Sequence, residues 1–217
     1  MLTAAIRDVR ATPSIRFEGR VTAVEGLRIE AAGPAPALQL GALVRLGTET
    51  GPRAELVGFA GERAVMLACD PVDGLRPGAS VYFPPGGDAV RPSAAWLGRI
   101  VDAFGAPADG KGPLPQGPRR RPVRAHPLNA QSRARVDQRL DLGVRALDVF
   151  APCARGQRLG LFAGSGVGKS TLMSMLARNA AADVVVIGLI GERGREVREF
   201  VEDTLGPEGL ARAVVVV

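Results

Sequence analysis

Phe162-Ala163-Gly164-Ser165-Gly166-Val167-Gly168-Lys169-Ser170 decides how this 217-residue chain is read. Glycines at 164, 166 and 168 let successive backbone N–H groups turn inward around an anion, and Lys169-Ser170 close the run with a cation and a hydroxyl. Residues 159–163, just before it, are a short apolar run that reads as a strand. Just after it, Leu172, Met175 and Leu176 recur at helical spacing. Strand, loop and helix in that order are the setting a phosphate loop requires, and the helix N-terminus adds its partial positive charge. The expected ligand is ATP with Mg²⁺. Ala163, Gly164, Ser165, Gly166, Val167, Gly168, Lys169, Ser170 and Thr171 form the expected nucleotide contacts. Lys169 is expected to reach the β- and γ-phosphates, and the Ser170 hydroxyl to ligate the metal. One departure from the usual pattern is Ala163, which stands where the first glycine normally falls.

Working outward, residues 184–190 form an unbroken apolar run, the pattern of a strand buried on both faces of a parallel sheet. A helix fits residues 195–205, with Val197, Phe200, Val201 and Leu205 on one face and Gly206-Pro207 as its stop. Residues 214–217 begin a third buried strand, whose edge is expected to be open and aggregation-prone. Between the second strand and the helix lies Gly191-Glu192-Arg193-Gly194-Arg195-Glu196. In open α/β sheets ligands collect at the carboxyl ends of strands. A carboxylate there can orient a water for in-line attack, and a guanidinium can hold phosphate oxygens. Glu192 and Arg193 join Lys169 as the expected catalytic residues. The bland alternative, a solvated charged turn capping a helix, is displaced by the phosphate loop upstream.

The first half of the chain has a different grammar. Six short runs alternate at period two: residues 20–24, 27–30, 43–46, 55–57, 64–67 and 80–83. Breaks fall at Gly33-Pro34, Gly51-Pro52, Gly61, Asp73-Gly74 and Pro84-Pro85-Gly86-Gly87. Strands this short with turns this frequent predict a six-stranded β-barrel over residues 17–92, with nothing catalytic in it. Residues 1–16, with Leu2, Ile6 and Val9 at helical spacing, read as a short amphipathic segment ahead of the barrel. Residues 93–217 then form a partial α/β P-loop domain, entered through a Pro/Gly/Arg-rich connector.

Charge and composition narrow the function. The net charge of +6 is local, because residues 111–145 carry nine basic side chains against Asp137 and Asp141. That segment contains no Phe, Tyr or Trp, so a single-strand nucleic-acid platform has nothing on which to stack bases. Cys69, Cys153 and His126 are too few and too scattered for zinc. No stretch approaches the roughly 20 apolar residues of a membrane-spanning helix, and a secretory leader is not evident, so a cytoplasmic location is expected.

The chain resembles the rotary-type ATPase family, the catalytic subunits of F- and V-type ATPases, and most closely the flagellar and type III secretion export ATPases. Leu97-Gly98-Arg99-Ile100-Val101-Asp102-Ala103-Phe104-Gly105 with Asp109-Gly110-Lys111-Gly112-Pro113 looks like the family's entry to its nucleotide domain. Leu142-Gly143-Val144-Arg145-Ala146-Leu147-Asp148 and Gly156-Gln157-Arg158-Leu159-Gly160-Leu161-Phe162 look like its approach to the loop. Ala163 and the final Ser170 are similar to the export branch, whereas the synthase catalytic subunit typically carries a glycine and a threonine there. Arg119-Arg120-Arg121-Pro122 through Pro127-Leu128-Asn129 looks like the same branch, and Glu192 resembles the catalytic rather than the non-catalytic subunits.

By that resemblance the complete protein is a homohexameric ATPase, peripheral at the inner face of the cytoplasmic membrane. It would energise flagellar protein export, with a stator-like regulatory protein, export chaperones and export substrates as partners, and no nucleic acid. The resemblance also implies that a later acidic residue and an arginine finger lie beyond Val217, so the 217-residue chain alone is expected to turn over ATP poorly. Three other readings stay open: an RNA-dependent hexameric helicase of the transcription-termination type, a rotary proton-transporting ATPase subunit, and a nucleotide-binding or interaction fragment.

Overall fold

The computed structural model describes residues 17–33, 39–83, 89–123, 127–164 and 166–217. The expected N-terminal helix over residues 1–16, Ser165, His126 and the Pro84–Gly87 break lie outside the described residues. Two compact units divide the chain between Ala89 and Val90.

The first unit is a closed antiparallel barrel. Its strands are β1 (Phe17–Glu25), β2 (Arg28–Ala32), β3 (Leu43–Leu46), β4 (Arg53–Ala60), β5 (Arg63–Ala68) and β6 (Ser80–Phe83), in the order β1-β2-β5-β4-β3-β6. All six runs read from alternation are strands. The period-two pattern becomes a core because inward positions of every strand meet at the barrel axis: Val21, Ile29, Leu46, Leu56, Met66 and Val81 are each 2% exposed or less. β6 returns to β1 with Gly19 opposite Val81, so no edge is left. The β4–β5 hairpin turns on Gly61, whose φ of 62° is the left-handed value a two-residue loop needs. Irregular register between Val21 and Ala23 in β1, and between Leu56 and Gly58 in β4, supplies the bends that closure demands. Outside the wall, Arg53 forks onto Asp70 at 2.8 and 2.7 Å, which pulls that carboxyl down to about 2. Glu30, buried although charged, accepts from Arg28 and from Arg63.

The second unit is built on a three-stranded parallel sheet of β7 (Arg99–Val101), β8 (Val185–Gly188) and β9 (Ala213–Val216), in the order β8-β9-β7. Its helices are α1 (Arg145–Phe150), α2 (Lys169–Asn179), α3 (Gly194–Glu199) and α4 (Gly206–Ala211), with a π-helical turn over Phe200–Leu205 between the last two. Ala177 of α2 joins Phe200, Val201 and Leu205 in one buried cluster with Ile187, Ala213 and Val215 of the sheet. α2 is fixed at its far end as well. The Arg212 guanidinium donates to the carbonyls of Arg178, Ala180 and Ala182, satisfying the groups a helix C-terminus leaves over. Gly143 packs so closely beneath that end that a Cβ would stand 2.4 Å from Asn179 Cβ.

Four expectations need correction. Residues 159–163 form no strand and pair with no described strand. The strand within 184–190 is four residues long and buries one face only: Ile187 is 7% exposed, whereas Val186 is 69% and Ile190 is 89% exposed. The β9 strand is not an edge but the centre, with β7 on its other side, and β7 comes from the stretch read as connector. The helix over 195–205 is α3 followed by a π turn. Gly206, with φ of 68°, ends that segment as expected, and a further helix, α4, begins there with Pro207 in its first turn.

A small core of Trp96, Val101 and Leu114 backs β7. Beside it Asp109 accepts from Arg99 at 2.6 and 2.9 Å and from two backbone amides, and these donors hold its carboxyl well below the ordinary carboxylate range.

Candidate functional site

The phosphate loop follows residues 159–163, which form no strand, and enters α2 at Lys169. Gly166 and Gly168 have φ of 76° and 96°, left-handed values that a side chain resists, and Gly168 is the residue that caps α2. Chain reversal at these two positions turns the loop over the helix N-terminus. No acidic residue stands in the first turn of α2, so its partial positive charge is not locally cancelled. Ala163, Gly164, Gly166, Val167, Gly168, Lys169, Ser170 and Thr171 are all exposed. Lys169 makes no ion pair among the described residues, which leaves its ammonium free for an incoming anion.

Across from the loop is a cleft of about 460 Å³. Lys169 and Ser170 of α2, Glu192 beyond the end of β8, and Glu196 and Glu199 of α3 line it together, over a floor that includes Met173, Leu189, Phe200 and Thr204. Three of the expected residues, Lys169, Ser170 and Glu192, thus share one cavity. Arg193 does not line it. Arg193 precedes α3 and its guanidinium lies 3.5 Å from Glu196, so the expected phosphate-holding arginine is turned along its own helix. Glu196 and Glu199 were missed, although they stand three residues apart on α3 and so share a face.

Among the described residues no group of three His, Cys, Asp or Glu side chains could hold a metal ion. A single exposed hydroxyl at the cleft, Ser170, fits a hard cation whose other ligands are phosphate oxygens and water, the donor set that Mg²⁺ prefers.

Comparison with known proteins follows this geometry. Residues 143–217 match the ATP synthase alpha/beta family, nucleotide-binding domain. The chain is 55% identical over its whole length to the flagellum-specific ATP synthase of Caulobacter vibrioides, of which it covers 49%. It is 44% identical over 94% of its length to the flagellum-specific ATP synthase of Salmonella typhimurium, of which it covers 47%. This chain is a homologue of the flagellum-specific ATP synthases. The assembled ATPase EscN, solved with its central stalk EscO from the type III secretion system of enteropathogenic E. coli, superposes with a TM-score of 0.80. That match has 36% identity and covers 92% of this chain and 48% of EscN. The chain spans about half the length of the relatives it matches. Its homologues are ATPases, and a barrel followed by part of an ATP synthase-type nucleotide domain is what the fold contains. No described helix is long and apolar enough to cross a membrane.

Proposed function

We propose that this chain supplies the phosphate-binding and water-orienting part of an ATPase that energises protein export through a flagellar type III apparatus. The observation that carries the reading is the shared cleft of Lys169, Ser170 and Glu192. Backbone amides of residues 163–171 and the Lys169 ammonium would hold the triphosphate, and the Ser170 hydroxyl would ligate Mg²⁺. The bound cation would neutralise charge on the β- and γ-phosphates. Glu192 would then accept a hydrogen bond from the attacking water and aim it at the γ-phosphorus. Arg193 would turn from Glu196 to the γ-phosphate once that charge arrives.

The 55% identity to a flagellum-specific ATP synthase favours flagellar over virulence-associated export, and the likeness to the assembled EscN favours a homo-oligomer, a hexamer in our reading. The stalk in that assembly supports a stator- or stalk-like regulatory partner for this protein too. Chaperones, export substrates and a peripheral position beneath the membrane complete the proposal. Because the relatives are twice as long, the strands that flank residues 159–163 and the free edge of β8 belong, in our reading, to the remaining half of the protein.

The test is ATP turnover by the full-length hexamer. Lys169→Ala and Glu192→Gln should each lower kcat by at least about 10²-fold. Turnover that survives Lys169→Ala would sink the ATPase assignment, and stimulation by RNA would replace export with a helicase.

A further inference from the structure

Ser174 lies in the second turn of α2, fully buried, amid Leu172, Met173, Met175 and Leu176. Its Oγ donates to the carbonyl oxygen of Thr204 at 2.7 Å. Thr204 stands in the last turn of the π segment, where a helix leaves carbonyls without an intrahelical partner. The segment ends because Gly206 turns left-handed and Pro207 has no N–H to give back to the Asp203 carbonyl. At this end of the segment Ser174 adds a side-chain donor from another helix, to the carbonyl of Thr204.

Among the described residues this is the one hydrogen bond between α2 and the Gly194–Leu205 segment. Everything else joining them is apolar: Met173 and Ala177 against Phe200, Val201 and Leu205. Apolar contact is non-directional and tolerates sliding, whereas a buried hydrogen bond fixes distance and angle. The two elements are also the two walls of the cleft. Lys169, Ser170 and Met173 line it from α2, and Glu196, Glu199, Phe200 and Thr204 line it from the other side.

We propose that Ser174 is a positioning residue of this site: through Thr204 it sets the register between the helix that begins at Lys169 and the helix that follows Glu192. The inference rests on the ATPase reading above. It does not require Ser174 to touch nucleotide. Its effect is on where the Glu192 carboxylate stands relative to the phosphates, and displacements of about 1 Å at such a carboxylate are worth up to about 10² in rate.

The experiment uses the full-length protein and steady-state ATP turnover. Ser174→Ala, nearly the same volume without the donor, should lower kcat about tenfold while KM for ATP stays within about twofold. Ser174→Cys keeps the shape and a weak donor, so its kcat should fall between parent and Ser174→Ala. In a Glu192→Gln background Ser174→Ala should cost less than about twofold, since no carboxylate remains to be placed. A residue that merely supports the fold would lower kcat equally in both backgrounds, and that result overturns the proposal. So does a parent-like kcat for Ser174→Ala, or an order among the variants unrelated to donor strength. If the parent does not hydrolyse ATP, or Lys169→Ala hydrolyses it as fast, the ATPase reading fails and takes this inference with it. If the parent is active, Lys169→Ala is dead and Ser174→Ala is normal, this inference alone fails.

Discussion

The barrel and the nucleotide unit solve the same burial problem with opposite completeness. In the barrel ten core side chains are 4% exposed or less, and the sheet has no edge. In the unit of residues 90–217, Phe162 is 97% exposed and Ile190 is 89% exposed, and no described strand pairs with the outer edge of β8. Antiparallel strands pair with near neighbours through short turns, so a barrel closes within a short length of chain. Parallel strands need a crossover each, so their partners come from far along the sequence: β7 meets β9 from the other end of the unit. A sheet assembled that way is finished only when its last contributors are present. The residues proposed to react sit in the unit with the open sheet, and the closed barrel carries none of them.

The largest expected effect separates chemistry from fold. Glu192→Gln in the full-length protein should lower kcat by about 10² to 10⁴, the range of a lost general base, and leave the melting of the barrel unchanged. Next comes a break in the opposite sense. Leu56 is 1% exposed in the barrel core, and Leu56→Ala should cost about 2 to 5 kcal/mol by leaving a cavity in a closed wall. Chemical denaturation of the 217-residue chain measures it. Loss of the barrel transition with retained ATP binding by residues 90–217 would show the two units to be independent, and simultaneous loss would show them coupled.

How far the sequence could be read follows the same division. All six barrel strands were legible because alternation and Gly/Pro turns are local signals, and inward Val21, Leu46 and Val81 obey them. The phosphate loop was legible because its glycines answer a local demand, as φ at Gly166 and Gly168 makes plain. β7 was not, since a three-residue strand has no period and its partner is remote. Gly206-Pro207 marked the end of the preceding segment, but the helix that begins there was not legible, because both residues break helices in isolation whereas proline is welcome in a first turn. Ser174 left one trace, a hydroxyl inside an otherwise apolar stretch of helix, but its acceptor is a carbonyl on another element. Arg193 could be located by motif, yet its contact with Glu196 depends on a rotamer that sequence does not encode.

A smaller effect compares the two Arg–Asp forks. Hydrogen bonds from Arg53 lower the Asp70 carboxyl to about 2, and those from Arg99 lower Asp109 as well. A folded-state pKa below the unfolded value gives stability that is present above about pH 4 and lost as pH falls through the folded value. Asp70 is 27% exposed on its side chain, so solvent screening reduces its share to the order of 1 kcal/mol. Asp70→Asn should therefore lower barrel stability at pH 7 by about that amount and flatten its acid profile between pH 4 and 2. Asp109→Asn should do the same to the nucleotide unit, where the side chain is only 3% exposed and one of the two backbone amides it accepts from also loses its acceptor, since asparagine keeps a single side-chain oxygen. Urea melts at pH 7 and pH 3 measure both. A variant as acid-sensitive as the parent would show that its fork contributes nothing.

The substitution with the smallest expected effect in the 217-residue chain is the most telling about completeness. Val186 lies in β8 with its side chain 69% exposed, beside the edge that no described strand covers. Val186→Thr keeps the β-branched shape and strand preference and changes a methyl to a hydroxyl. In the 217-residue chain that hydroxyl remains in water, so stability should move by no more than about 0.5 kcal/mol. In the full-length protein, if the remaining half covers this face, the same hydroxyl is buried without a built partner and should cost about 1 to 3 kcal/mol. Paired melts of the variant in the two lengths of chain read the difference directly. A cost near zero in both would mean the face stays open in the whole protein, and the contrast between a closed barrel and a sheet awaiting its partners would fall.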